Sequence, residues 1–166
     1  MGELGFFRGE RIELVHGTVV RMSPIGPPHA SIVRKLTELL LPRLLGRATV
    51  SVQQPFIAAD DSEPEPDIAV LPPGDYGARH PDRALLIIEV AESSLEYDRE
   101  TKGPLYAASG VSEYWIVDVA GGALEVRSHP ERGAYSRSRR ITSPDERLVV
   151  AAFPDVEVRV GEIFGG

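Results

Sequence analysis

Residues 84–91, Ala-Leu-Leu-Ile-Ile-Glu-Val-Ala, are the stretch that decides the fold. Apolar residues on both sides of a single acid are typical of an inner strand that is covered on both faces of a sheet. Because side chains alternate along a strand, Leu85, Ile87 and Glu89 share one face. A charged carboxylate there is costly unless it is paired, hydrogen-bonded or bound to metal, so Glu89 needs a partner. The open alternative is that Glu89 ends the strand and reaches water.

Asp67 is the natural partner, because it opens the apolar segment Asp-Ile-Ala-Val-Leu at residues 67–71. Alternation places Asp67, Ala69 and Leu71 on one face. The chain between Asp67 and Glu89 is long enough for one strand, a polar loop and a return strand, so the two carboxylates can lie side by side. Such a pair favours a hard divalent ion that orients a phosphodiester and polarises water. An Asp that follows Pro is also a common turn residue, and that alternative stays open.

Lys102 stands in the polar segment Tyr-Asp-Arg-Glu-Thr-Lys at residues 97–102. Beside a metal–phosphate site its ammonium could position the attacking water or offset charge that develops in the transition state. A lysine among polar neighbours is more often a solvated surface charge, and both interpretations remain open.

The composition limits the kinds of site and class of protein. The chain has 166 residues, the size of one domain spanning 1–166, and it contains no cysteine. A metal must therefore be held by carboxylates, carbonyls or histidines, which favours Mg²⁺ or Mn²⁺. No apolar run is long enough to cross a membrane, and the N-terminal residues lack the apolar core of a signal peptide. We expect a cytoplasmic protein without membrane contacts.

The charge distribution bears on a nucleic-acid substrate. A formal net charge of -7 argues against a protein that coats nucleic acid nonspecifically. Residues 127–140 nevertheless hold five arginines and one glutamate. This run predicts either a solvated basic hairpin or a strip that faces phosphates.

The remaining pattern predicts a mixed α/β chain. Helices are expected after Pro27-Pro28, ending near Gly46, and within residues 97–109, where Pro104 leaves Lys102 at or before the first turn. Pro42 should kink the first helix or end it early. Strands are expected at residues 12–15, 18–22, 49–57, 67–71, 84–90, 113–119, 124–128, 135–141 and within 148–164.

Several segments are similar to those of one known family. They are Ile-Glu-Leu-Val-His-Gly at 12–17, His29 at a helix start, Pro-Asp-Ile-Ala-Val at 66–70, Leu-Ile-Ile-Glu-Val at 86–90, and Lys-Gly-Pro-Leu-Tyr through Tyr-Trp-Ile-Val-Asp at 102–118. The last segment is the most specific. Nearly the whole chain thereby resembles the putative restriction endonuclease family of the PD-(D/E)XK nuclease superfamily, a large bacterial group catalogued as a domain of unknown function.

The resemblance implies an α/β fold with a restriction-endonuclease-like αβββαβ core, a central mixed sheet, an N-terminal β-hairpin and additional C-terminal strands. It implies Asp67 and Glu89 as ligands of Mg²⁺, or of Mn²⁺, and Lys102 as the catalytic lysine. The superfamily pattern expects a lysine two residues after the second acid. That position is Ala91, and Lys102 is the natural substitute because it can project from the following helix.

The resemblance also implies that Glu13 and His29 lie near the site. Glu13 would be a third acid in the metal environment, or it could face solvent from its strand. His29 would contact phosphate or transfer a proton, or it could be a surface group at a helix start. Gln53 or Gln54, on a strand expected to border the site, could orient water or substrate.

The leading hypothesis is a Mg²⁺-dependent endonuclease that hydrolyses DNA phosphodiester bonds. The second is a catalytically weak or inactive binding or regulatory module on the same fold. A third is hydrolysis of another substrate at the same metal site, because a fold alone does not fix the substrate. DNA is the expected partner, and a homodimer would suit cleavage of both strands.

Overall fold

The computed structural model describes residues 10–165. The prediction about a leader peptide concerns the N-terminal residues 1–14, of which residues 1–9 lie outside that range. The strands are β1 (Ile12–Val15), β2 (Thr18–Arg21), β3 (Thr49–Val52), β4 (Ile68–Leu71), β5 (Leu86–Ala91), β6 (Glu113–Asp118), β7 (Ala123–Glu131), β8 (Ala134–Ile141), β9 (Arg147–Val150) and β10 (Phe153–Arg159). The helices are α1 (Pro27–Leu44), α2 (Leu95–Tyr97), α3 (Gly103–Ala108) and α4 (Val160–Phe164), with a π-helical turn at Asp98–Lys102 between α2 and α3.

The N-terminal β-hairpin forms as the sequence predicts. β1 and β2 pair antiparallel, with Val15 opposite Thr18. His16 and Gly17 both have positive φ, 49° and 72°, which is the geometry that a tight two-residue hairpin turn requires. Backbone hydrogen bonds then fix the hairpin to the loop at residues 61–63. This docking carries Glu13, on β1, toward the central sheet.

The central sheet has six strands in the order β3-β4-β5-β6-β7-β8. β5 and β6 pair in parallel, and the other neighbours pair antiparallel, so the sheet is mixed. The parallel pair is connected through the helical segment of residues 95–108, as a crossover requires. The order α1, β3, β4, β5, helix, β6 is the predicted αβββαβ core.

α1 covers one face of this sheet. Its buried residues are Ile32, Val33, Leu36, Leu40 and Leu44, which recur at helical spacing and pack against sheet residues such as Ile88 and Trp115. Pro27 begins the helix, a position where its missing N–H costs nothing. The helix continues through Pro42 and ends two residues later, at Leu44.

The opposite face of the sheet packs against α3 and the loop before β4. Ile87, Ala91 and Ile116 lie on this face with Tyr106 of α3 and Phe56 of the loop. The rings of Tyr106 and Phe56 meet edge to face, with centroids 6.2 Å apart. By strand alternation, Glu89 belongs to this face.

Two expected strands are different in the structure. The strand expected at residues 49–57 ends at Val52, because Gln53 has a φ of 51° that an extended strand does not allow. The C-terminal segment was expected to be entirely β structure, which is wrong at its end. After β10 the chain forms α4, where the Glu162 carboxylate accepts a hydrogen bond from the Arg159 backbone N–H at 3.0 Å and caps the first turn.

Within the described part of the chain, no helix combines the length and the apolar character that a bilayer crossing requires.

Candidate active site

Asp67 and Glu89 lie opposite each other at adjoining ends of β4 and β5. Ile68 pairs with Ile88, and the same antiparallel register, extended by one residue, sets Asp67 against Glu89. The Asp67 N–H donates to Glu89 Oε2 at 3.3 Å, and the Val90 N–H donates to Asp67 Oδ2 at 2.8 Å. The two carboxylates therefore lie side by side, as the spacing predicts. The alternative that Glu89 reaches water is wrong, since its exposed fraction is 3%.

Lys102 reaches this carboxylate pair from the π-helical turn. Its Nζ lies 2.9 Å from Glu89 Oε1 and 3.2 Å from Glu13 Oε2. Glu13, Asp67, Glu89 and Lys102 are each only 3–5% exposed. The surface alternatives for Lys102 and Glu13 are therefore wrong, and both residues belong to one buried group with Glu89.

The turn that carries Lys102 is widened by one residue. The Gly103 N–H donates to the carbonyl of Asp98, five residues back, instead of four. Lys102 is thus the last residue before α3, in agreement with its predicted position ahead of regular helix. π-helical turns are frequent at functional sites because they redirect a side chain without ending the helix.

His29 and Gln53 hold Asp67. His29 Nε2, at the start of α1, lies 3.0 Å from Asp67 Oδ2, and Gln53 Nε2 donates to Asp67 Oδ1 at 3.2 Å. Because a carboxylate only accepts hydrogen bonds, His29 Nε2 carries the proton in this contact. The His29 ring therefore presents Nδ1 as its remaining nitrogen, and this atom is buried without a hydrogen-bond partner among residues 10–165.

Asp98 and Tyr106 belong to the site and were not predicted. The Tyr106 hydroxyl, fully buried, donates to Glu89 Oε1 at 2.7 Å. Asp98 is buried beside it on the π-helical turn and accepts a hydrogen bond from Ser94 Oγ at 2.6 Å. Asp98, Lys102 and Tyr106 recur at intervals of four, which places residues on one helical face. That spacing is the signal in the sequence that could have identified them.

Glu13, Asp67, Glu89, Asp98 and Lys102, called the acidic cluster below, hold four carboxylates around one ammonium. Burial raises the pKa of Glu89 well above its ordinary value; Lys102 opposes this rise, and the other three acids reinforce it. Burial also raises the pKa of Asp98. Burial by itself would lower the pKa of Lys102, but Glu89, Glu13 and Asp98 outweigh it and raise that pKa. Lys102 is therefore cationic, and the cluster has more acid than it can neutralise.

Asp67 differs from the other acids. Burial would raise its pKa, but the hydrogen bond and charge of His29, with the donors from Val90 and Gln53, outweigh burial and lower it. Asp67 is thus the acid that its surroundings keep ionised. Each carboxylate of the pair also retains acceptor capacity, because Asp67 Oδ1 and Glu89 Oε2 each accept a single hydrogen bond.

A pocket with a volume of about 240 Å³ opens onto the acidic cluster. β2 and residues 22–26 form one wall, and residues 92–98 form another. Pocket residues outside the cluster include Arg11, Arg21, His29, Glu92 and Tyr97. A ligand in this pocket would meet Asp67 and Glu89 directly.

A second charged group, called the arginine cluster below, lies beside the first. Glu125 on β7 is bonded by Arg99 of the π-helical turn and by Arg140 of β8, the latter at 2.9 Å. Arg140 also reaches Asp118 at 2.8 Å, and Arg127 donates to the carbonyl of Arg99 at 3.0 Å. These contacts tie the turn that carries Asp98 and Lys102 to the sheet.

The predicted basic run at residues 127–140 is only partly free for phosphates. Arg127 and Arg140 belong to the arginine cluster, and Arg139 pairs with Glu146 at 2.8 Å. Within the described residues, Arg132 and Arg137 of this run form no ion pair. Two of the five arginines in this run, Arg127 and Arg140, therefore neutralise buried acids.

The carboxylates of Asp67 and Glu89 are the side chains of this site that fit a hard divalent ion. Among residues 10–165 no three histidine or carboxylate side chains are grouped to hold a metal ion by themselves. Asp67 and Glu89 nevertheless supply side-by-side oxygen ligands with acceptor capacity, inside a cluster that holds four acids and one lysine. Mg²⁺ is characteristically bound by one or two carboxylates, with water and substrate phosphate completing its shell.

Comparisons with known proteins agree with this fold. A family model described as "Putative restriction endonuclease" (Uma2) matches residues 3–161. Among solved structures, the chain is similar to a crystal structure of a putative nuclease belonging to DUF820 from Anabaena variabilis, with a TM-score of 0.66. That alignment has 18% identity and covers 93% of this chain and 89% of the other, so it shows the fold alone. No curated protein sequence matches the chain.

Proposed function

Because this chain belongs to the putative restriction endonuclease family, we propose that it is a divalent-metal-dependent endonuclease that hydrolyses DNA phosphodiester bonds. The observation that carries the proposal is the buried pair of Asp67 and Glu89 beside Lys102 at one end of the sheet. Burying four carboxylates around one ammonium costs folding free energy. Such an arrangement is characteristic of sites whose charges serve a ligand rather than the fold.

Asp67 and Glu89 are the residues that would hold Mg²⁺, or Mn²⁺, and the bound ion would supply Lewis-acid polarisation of a phosphate oxygen and of water. Asp67 is suited to this role because His29 and Gln53 keep it ionised and fix its orientation. Glu89 is held by Lys102 and Tyr106 through Oε1, which leaves Oε2 toward Asp67. The chain thus sets both carboxylates before any ligand arrives.

Lys102 acts as a fixed positive charge in this proposal. Its raised pKa keeps the ammonium protonated, so it does not accept a proton from water. A cation beside the two acids would stabilise negative charge that develops on the phosphate. Glu13 holds Lys102 in place through its second ion pair, at 3.2 Å.

His29 is the candidate proton carrier. With Nε2–H donating to Asp67, Nδ1 is the ring nitrogen left for proton transfer, and it would offer a lone pair whenever it carries no proton. An imidazole oriented by a carboxylate is a common arrangement for general base catalysis. His29 also borders the pocket, which places its ring next to a ligand bound there.

The test is cleavage of supercoiled plasmid and of single-stranded DNA with Mg²⁺ or Mn²⁺, comparing the native protein with Asp67→Ala and Glu89→Ala. The native protein should cleave DNA, and both variants should lose cleavage by about 100-fold or more. Glu38→Ala, which removes an exposed acid of α1, is the matched control and should cleave normally. Equal cleavage by all four proteins would refute the assignment.

The second candidate is a binding or regulatory module without useful turnover. Two observations favour it: Ala91 stands where the superfamily pattern has lysine, and Glu89 Oε1 is already occupied by Lys102 and Tyr106. In this case calorimetry should detect one metal ion that depends on Asp67 and Glu89, while no DNA is cleaved. A steep loss of DNA affinity with salt would separate both candidates from a hydrolase of small molecules.

A further inference from the structure

Three residues around the pocket each bury a polar side-chain atom that lacks a hydrogen-bond partner. The atoms are Arg11 Nη2, His29 Nδ1 and Tyr97 Oη, and one more atom of this kind, Arg127 Nε, occurs elsewhere within residues 10–165. A buried polar atom without a partner costs roughly 1–3 kcal/mol. Folded proteins keep few of them, and three of the four within residues 10–165 belong to residues that line this one pocket.

Arg11 stands on the side of the pocket next to Glu13. Its Nη2 lies 3.7 Å from Glu65 Oε2, which is within ion-pair range but too long for a hydrogen bond. The Glu65 N–H in turn donates to Glu13 Oε2 at 3.2 Å, which ties this segment to the acidic cluster. Arg11 therefore brings a guanidinium N–H with unused hydrogen-bonding capacity close to the proposed catalytic acids.

Tyr97 lines the same pocket and lies next to the acidic cluster. Lys102 Nζ lies 5.9 Å from the centre of its ring. Burial and the nearby charge of Glu13 raise its pKa to about 12, so the hydroxyl keeps its proton at neutral pH. Within the described residues this hydroxyl has no acceptor, so it is a neutral O–H donor that can still form a hydrogen bond.

We propose that Arg11 and Tyr97 form a phosphate-binding subsite in this pocket, donating to nonbridging oxygens of a phosphodiester held next to Asp67 and Glu89. The proposal rests on the proposed nuclease function and adds to it two residues that bind substrate. Both residues are donors, one charged and one neutral, and both line this pocket, Arg11 before β1 and Tyr97 at the end of α2. A phosphodiester presents two nonbridging oxygens that can meet donors from two sides.

The chemistry of the pocket favours phosphate over other ligands. Arg11 and Tyr97 both donate hydrogen bonds, so a ligand that itself only donates, such as an ammonium group, would offer them no acceptor. A phosphate needs cations at its oxygens because the acidic cluster repels it. Glu89 and Glu13 hold Lys102 at 2.9 and 3.2 Å, whereas the contact of Arg11 with Glu65 is longer, at 3.7 Å. His29 is left out of the subsite because the proposed function already uses its Nδ1 for proton transfer.

The experiment compares native protein with Arg11→Gln and Tyr97→Phe, using a fluorescein-labelled oligothymidylate of twelve nucleotides. Anisotropy titration in Ca²⁺ gives the Kd, and steady-state cleavage in Mg²⁺ gives KM and kcat. Arg83→Gln, which removes an exposed arginine outside the pocket, is the charge-matched control. Thermal melting of every protein is recorded in parallel.

Arg11→Gln should raise the Kd and KM by about tenfold or more, and Tyr97→Phe should raise them by roughly fivefold, with Arg83→Gln close to native. Tyr97→Phe should melt at or above the native temperature, because the lost hydroxyl has no partner. A tyrosine with a merely structural role would lower the melting temperature and leave Kd unchanged.

The outcomes separate this inference from the nuclease proposal. Native cleavage with unchanged Kd and KM in both variants overturns the subsite and leaves the nuclease function intact. Binding without cleavage, weakened in both variants, supports the subsite and removes the nuclease function. A native protein that neither binds nor cleaves the oligonucleotide overturns both.

Discussion

The acidic cluster and the arginine cluster lie at the same end of the central sheet and share the π-helical turn, but their charges are balanced in opposite ways. In the arginine cluster, burial raises the pKa of Glu125, yet bonds and charges from Arg99, Arg140 and Arg127 outweigh it and lower that pKa. In the acidic cluster the pKa of Glu89 is raised well above its ordinary value. The acid of the arginine cluster is neutralised by neighbouring arginines, whereas the acids of the acidic cluster outnumber their lysine.

The difference teaches how to distinguish a structural charge from a functional one in this molecule. Ionised Glu125 stabilises the fold, because its arginines are positioned to receive it. Ionised Glu89 costs stability, because it shares one lysine with Glu13 and Asp98. Removing charge from each cluster should therefore change stability in opposite directions.

The largest expected effect is at Lys102. Lys102→Met removes the cation of the acidic cluster and leaves Glu13 and Glu89 buried without it, so the free energy of unfolding should fall by about 3–5 kcal/mol. Urea denaturation at pH 7 measures the loss. The double variant with Glu89→Gln removes one of the stranded acids and should recover part of the stability. No recovery would show that the acids do not compete for this lysine.

The next effect compares the two clusters directly. Glu125→Gln leaves three arginines around a neutral amide and should lower the free energy of unfolding by about 2 kcal/mol. Glu89→Gln is the same change in the acidic cluster, and it should leave that free energy unchanged or raise it. If both variants lose stability equally in urea denaturation, the contrast between the clusters is wrong.

The pH dependence should sharpen this contrast. The folded pKa of Glu125 is lowered, so its stabilisation is present above the unfolded value of about 4.3 and is lost as pH falls through the folded pKa. The folded pKa of Glu89 is raised, so its cost grows as pH rises from about 4.3 toward that pKa. Stability measured from pH 3 to 8 should fall less on acidification in Glu125→Gln than in native protein. In Glu89→Gln the decline on the alkaline side should be smaller.

The smallest expected effect is at Tyr106. Tyr106→Phe removes the hydroxyl that holds Glu89 Oε1, at a cost of about 1 kcal/mol in stability. As a positioning residue for a metal ligand, it should also shift the Mg²⁺ concentration that half-activates cleavage. Tyr135→Phe, which removes a hydroxyl bonded to the Val111 carbonyl, is the matched control. Both variants should lose a similar free energy of unfolding, and only Tyr106→Phe should change the Mg²⁺ concentration for half-maximal cleavage. A change in both variants, or in neither, would show that Tyr106 does not position Glu89 for metal binding.

Much of the fold and the acid pair could be predicted from the sequence because strand alternation is a strict rule. It placed Asp67 and Glu89 on one face, and the loop length allowed the antiparallel return. The burial of Lys102 could not be predicted, because its neighbours in the sequence are polar. It depends on a π-helical turn whose carbonyls are bonded by side chains from other strands. These side chains are Tyr114, which donates to the carbonyl of Asp98, and Arg127, which donates to the carbonyl of Arg99.

The smaller departures have local causes. The strand after Thr49 ends early because Gln53 adopts a positive φ while its side chain turns to Asp67. The C-terminal helix α4 is only five residues long, too short for periodicity to distinguish it from a strand. In both places a contact with a distant residue or a single cap decides the local structure.

The widened turn at Asp98–Lys102 also sets the helical phase of everything after it. Each residue of an α-helix rotates the next side chain by about 100°, and the extra residue in this turn offsets α3 by that angle relative to α2. Deleting Glu100 or Thr101 would leave Asp98, Lys102 and Tyr106 in the sequence but would rotate Tyr106 away from Glu89. The length of this segment is therefore as much a part of the site as its side chains.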